Sequence, residues 1–163
     1  MTLQQLLDFV RTLDGALIWS PEEGSDTPPI AWGDHFFYHA PDGQVPPNVQ
    51  PYGTVVTKNY PDDTASDLDG EGRWRVNVHV GRDRFEELTG GEGPQDLGTS
   101  DFSVVDTVLP HPVYRALGWV CVVNPGERTS DVVVSMLRDA HGDAVARAER
   151  RGEVTSQDDT PTG

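Results

Sequence analysis

Arg73-Trp74-Arg75-Val76-Asn77-Val78-His79-Val80 alternates without a break. Successive residues of an extended chain face opposite sides, so Trp74, Val76, Val78 and Val80 share one face and Arg75, Asn77 and His79 share the other. An apolar face backed by a polar one is the pattern of an antiparallel sheet covered on one side only. The Trp/Val face is expected to be core. The Arg75–Asn77–His79 face is expected to be open, either solvated or lining a groove.

The flanking segments fit that sheet. Toward the N-terminus, residues 53–58 read as a strand. His35-Phe36-Phe37-Tyr38-His39 is an aromatic strand between Gly33 and Pro41-Asp42-Gly43, and Ala16-Leu17-Ile18-Trp19 is a short one. Toward the C-terminus, residues 82–89 read as a short helix stopped by Gly90, 91–100 as a glycine-rich loop, 103–109 as helical and 118–124 as a strand. Two amphipathic helices bracket the whole. Thr2 and Gln5 form a capping-box pattern, and Leu3, Leu6, Leu7, Val10 and Leu13 make a helical stripe ended by Gly15. Near the other end, Thr129 or Ser130 is the expected cap of a helix whose buried stripe runs Val133, Met136, Leu137, Ala140, Ala144, Ala148. The expected fold is a single α+β domain over 1–151, an antiparallel sheet with the first and last helices on one face. Residues 152–163 are expected to be a disordered acidic tail.

Composition narrows the function classes. The 163 residues suit one domain with a substantial core. Twenty-seven acidic residues against 12 basic ones give a net charge of −15, which opposes binding to a phosphate backbone, so no nucleic-acid partner is expected. Eleven of the 12 basic residues are Arg, and the one Cys excludes an intramolecular disulfide or a Cys-based zinc cluster. No run reaches the ~18 apolar residues of a membrane span. The start has no basic leader region, and a cytoplasmic location without membrane contact is expected.

Motifs that could carry chemistry are few. His35 and His39 have the spacing of helical metal ligands, but along a strand they stand about 13 Å apart, too far for one ion. Asp62, Asp63, Asp67 and Asp69 before Gly70 suggest a calcium loop, yet Ala65 and Val76 fall where the first carboxylate and the bidentate Glu belong. Cys121 sits among valines, the setting of an inert core thiol. No metal and no cofactor is therefore expected.

The candidate binding residues are Asp34, Lys58, Arg75, Asn77, His79, His111 and Trp119. Lys58 is the one lysine and closes a strand: a ligand-facing cation or an ordinary strand-end charge. In Pro110-His111-Pro112 two prolines stiffen the backbone around one imidazole, and Trp119 follows. That segment is either one wall of a site or a structural corner. Trp119 belongs on the open side if Val120 and Val122 meet the helices.

Several segments carry a resemblance: Ala31-Trp32-Gly33-Asp34, Val56-Thr57-Lys58-Asn59-Tyr60-Pro61, Arg75-Val76-Asn77-Val78 with Gly81 and Phe85, and Leu109-Pro110-His111-Pro112-Val113-Tyr114 with Gly118-Trp119-Val120 and Asn124-Pro125-Gly126. Together they resemble a bacterial family numbered 6194 in the domain-of-unknown-function series, over most of residues 1–151. The resemblance brings no established activity. More remotely, the element order is similar to the MmcQ/YjbR-like proteins, whose CyaY-like α+β fold implies possible DNA binding, at odds with the acid excess here. The function expected first is a non-catalytic module binding a small molecule or a protein. The alternative is a small-molecule enzyme using His111, His79, Lys58 or Asp34 as acid–base groups, and DNA binding comes last.

Overall fold

A computed structural model describes residues 1–90 and 101–159, with side chains as far as 152. The expected loop at 91–100 and residues 160–163 of the expected tail lie outside the described residues. The chain forms α1 (Leu3–Arg11), β1 (Ala16–Trp19), β2 (His35–His39), β3 (Gly53–Val56), β4 (Arg75–His79), α2 (Arg82–Leu88), β5 (Leu109–Pro110), β6 (Trp119–Val123) and α3 (Ser130–Asp159). All strand pairs are antiparallel, in the order β1-β2-β3-β4-β6-β5. The α+β class, the antiparallel sheet and the helix at each end are as the alternation and the two stripes imply. Helix α3 extends through part of the stretch expected as tail. The stretch 103–109, expected to be helical, instead turns and enters β5. Pro110 and Pro112 confine the backbone to extended values there, and only two residues pair with β6.

Strand parity sorts the side chains into two layers. Phe37, Val55, Val76, Val78, Val120 and Val122 are buried on one face, where they meet Leu6, Leu7 and Val10 of α1 and Val133, Met136, Leu137 and Ala140 of α3. The capping box of α1 closes as read: the Thr2 hydroxyl accepts from Gln5 N–H at 3.1 Å, and Gln5 Oε1 accepts from Thr2 N–H at 2.8 Å. The cap of α3 comes from elsewhere. Asp106 Oδ1 accepts from the N–H groups of Gly126 and Thr129 and from the Thr129 hydroxyl, and its Oδ2 from Arg128 N–H. Those bonds, the Thr129 hydroxyl foremost, hold the Asp106 carboxyl down at about 2.

The opposite face departs from expectation. It is not open along β4: Arg75 is 1% exposed and Asn77 2%. Segments 60–66 and 105–114 fold across this side of the sheet. They can cover it because Arg75 carries its own partners, as a buried cation must.

Where β4 leaves the sheet, the N–H groups of Val80 and Gly81 both donate to Gly118 O, at 2.9 and 3.2 Å. Gly118 has φ +83, and a Cβ there would stand 3.0 Å from the Gly81 backbone. This close approach fixes the start of β6, and with it Trp119, against the end of β4.

Candidate functional site

The face turned away from the helices forms the floor of a cavity of about 490 Å³. The alternation that buries Phe37 presents Phe36 and Tyr38 to it; the one that buries Val76 and Val78 presents Arg75 and Asn77; the one that buries Val120 and Val122 presents Trp119. Trp19 stands at one end, its ring 5.2 Å from that of Phe36. Tyr60, Asp62 and Asp63 come from one covering loop, and His111, Val113, Tyr114 and Leu117 from the other. The lining is rich in aromatic side chains with a compact polar patch, the mix typical of a small-molecule pocket.

Arg75 organises that patch. Its Nε donates to Asn77 Oδ1 at 2.7 Å, Nη1 to Asp63 Oδ1 and to the Ser66 hydroxyl, both at 3.0 Å, and Nη2 to Asp63 Oδ2. The pairing with Asp63 is bidentate, so guanidinium and carboxylate neutralise each other at the floor. Burial alone would raise the Asp63 carboxyl; the hydrogen bonds and charge of Arg75 more than reverse this and hold it below the usual range. Asn77 passes the chain on, donating from Nδ2 to Thr54 Oγ1 at 2.9 Å.

His111 closes the patch from above. The N–H groups of Val113 and Tyr114 both donate to its Nδ1 at 3.0 Å, and Nε2 lies 3.3 Å from Arg75 Nη2. Its ring packs on Tyr114, with centroids 4.9 Å apart, and edge-on to Trp119 at 6.4 Å. Burial, reinforced by the Arg75 charge, pushes the imidazole down to about 3. His111 is therefore neutral near pH 7, and its 4.0 Å separation from Asp63 Oδ2 is not an ion pair. Cys121, on the same side of β6, lies beneath Pro110 with its thiol pushed up to about 12 by burial, the inert core thiol expected.

Of the seven candidate residues, Arg75, Asn77, His111 and Trp119 meet at this cavity. His79 packs against Trp119 at a tilt, with ring centroids 5.6 Å apart, but does not line the cavity. Asp34 and Lys58 do not line it either. Lys58 Nζ donates to Asp34 Oδ1 at 2.9 Å and to Trp32 O at 2.8 Å, and Asp34 also accepts from Thr57 N–H, the Thr57 hydroxyl and the Tyr60 hydroxyl. Lys58 thus belongs to a part-buried knot around Asp34, and that knot anchors Tyr60, which lines the cavity. Asp63, Tyr60 and Tyr114 were missed by sequence reasoning. The aromatic alternation of Phe36 and Tyr38 was a usable signal; nothing local distinguishes Asp63 from the other acids of its loop. His35 bonds the Ser20 hydroxyl at 2.7 Å and His39 packs on His141, so each strand histidine has its own neighbour. Among the described residues no cluster of three or more His, Cys, Asp or Glu could hold a metal ion, and no helix is long and apolar enough to cross a membrane.

Three of the segments that carried the resemblance contribute to the cavity: the 56–61 corner, β4, and the run from Leu109 to Val120. A family model spans them all, matching residues 1–153. The chain belongs to DUF6194, a family of unknown function. No curated protein and no solved structure matches it, so the remoter likeness to MmcQ/YjbR-like proteins gains no support. For this DUF6194 member the reading of function rests on the cavity.

Proposed function

We propose that this protein is a non-catalytic small-molecule binding module whose ligand occupies the cavity between the sheet and the covering loops 60–63 and 111–117. One observation carries the reading. An aromatic cavity of about 490 Å³ has a polar floor in which hydrogen bonds link Arg75 to Asp63 and Asn77, and Asn77 to Thr54. Such a volume suits a metabolite-sized ligand. The same network argues against acid–base catalysis. Asp63 is committed to Arg75, and both Val113 and Tyr114 hold Nδ1 of a neutral His111, so these two groups do not form a pair poised to exchange protons with a substrate. Asp34, Lys58 and His79, the other acid–base candidates, stand outside the lining.

A thermal-shift screen of metabolites, followed by tryptophan fluorescence, tests this. Trp19 and Trp119 both line the cavity, so a bound ligand is expected to raise Tm and alter the emission. Trp119→Ala is expected to abolish both responses. Hits that bind Trp119→Ala as well as wild type, or the lack of any hit, would count against the reading.

A further inference from the structure

The five N–H groups of Arg75 can be followed one by one. Nε points at Asn77, the two Nη1 hydrogens at Asp63 and Ser66, and one Nη2 hydrogen at Asp63. The fifth points at His111 Nε2, 3.3 Å away. A neutral imidazole has one acceptor nitrogen and one N–H. The backbone N–H groups of Val113 and Tyr114 both aim at Nδ1, so Nδ1 is the acceptor and the proton sits on Nε2. The fifth Arg75 hydrogen and the His111 Nε2–H therefore confront each other. Neither can accept, and both belong to side chains that line the cavity and are at least 97% buried. Two buried donors converging on one point call for a shared acceptor oxygen.

The charge of that acceptor follows from its neighbours. Asp63 already neutralises Arg75, and Asp62 also lines the cavity, so a carboxylate or phosphate ligand would meet two acids and, among the described lining residues, no second cation. A cationic ligand would meet two N–H groups presented hydrogen-first. An uncharged carbonyl oxygen suffers neither penalty. Phe36, Tyr38, Tyr114 and Trp119 offer ring faces and edges around the patch, which favours a flat ligand body. Resting on the small-molecule reading above, we propose that the cavity takes a neutral, flat molecule with a carbonyl oxygen seated between His111 Nε2–H and Arg75 Nη2–H.

Four bicyclic probes of similar size test the class: coumarin, which has the carbonyl; chroman, the same frame without it; naphthoate, an anion; and N-methylquinolinium, a cation. Binding is read from the Trp119 indole resonance, and the tautomer from the ¹⁵N resonances of His111. Coumarin is expected to bind about tenfold tighter than chroman, the worth of roughly one hydrogen bond, and to shift the His111 Nε2 signal. Its advantage over chroman is expected to vanish in His111→Leu. Equal binding of coumarin and chroman, tighter binding of naphthoate or N-methylquinolinium, or a proton found on His111 Nδ1 would each overturn the proposed class and leave the small-molecule reading standing. If none of the four moves the Trp119 resonance while an unrelated metabolite does, the class again fails alone. If no compound of any kind moves it, both readings fail.

Discussion

His111 ties the cavity to solution pH. Burial and the adjacent Arg75 charge push its imidazole from the usual 6.5 to about 3 in the folded protein. The unfolded chain therefore binds a proton near pH 6.5 that the folded chain refuses until far lower. Stability is at its full value above that unfolded pKa and falls as the pH drops from about 6.5 toward 3. From pH 7 to pH 5 this one group is expected to cost about 2 kcal/mol. His35, His79 and His141 are also lowered, chiefly by burial, and act in the same direction. Urea unfolding of wild type and His111→Gln at the two pH values separates them: the variant should lose about 2 kcal/mol less on acidification. An equal loss in both proteins would show that His111 takes up its proton in the folded state. The same residue marks a boundary of what the sequence could disclose. Two prolines made His111 conspicuous, but its lowered pKa comes first from burial and then from Arg75, 36 positions away, and no local pattern announces either.

The strands are legible because a period of two is written directly in residues 75–79 and an unbroken β-rich apolar run in 119–123, and both terminal helices because their stripes and the Thr2–Gln5 box are local. What covers the far side of the sheet is not legible. The 60–66 loop shows only polar residues and turns, and β5 is two residues long with a proline, so it reads as a helix end. Asp106 caps α3 from 20 positions upstream of Gly126, beyond any capping pattern. Opposite faces of the sheet should answer differently to truncation. Leu137 of α3 is fully buried against the helix face, and Leu137→Ala is expected to cost about 3 kcal/mol. Trp119, half-buried beside the cavity, would cost a core-like 3–5 kcal/mol if it were packed throughout. Since one side of its ring adjoins the cavity, Trp119→Ala is expected to cost about 1 kcal/mol. Urea unfolding at pH 7 gives both numbers, and a Trp119→Ala loss matching that of Leu137→Ala would move Trp119 into the core and off the site.

At the scale of the molecule the −15 charge dominates. The tightest basic group, Arg147, Arg150 and Arg151, lies on α3, away from the cavity and followed by Glu153. No retarded band is expected in a gel-shift of random duplex DNA with low-micromolar protein at near-physiological salt. A band that fades as salt is added would reveal an unrecognised phosphate-binding face. The segment that carries His111 into the cavity has a second effect on the molecule as a whole. The six strands form an open row, and an open row leaves a last strand whose outward N–H and C=O groups could template another chain. Here that last strand is Leu109–Pro110. His111 N–H donates inward to Trp119 O, so the preceding position turns its nitrogen outward, and that position is a proline with no hydrogen to offer. The residue that stiffens one wall of the binding cavity thus also blocks edge-to-edge aggregation on its side of the sheet, leaving the four residues of β1 as the margin through which crowded copies would first associate.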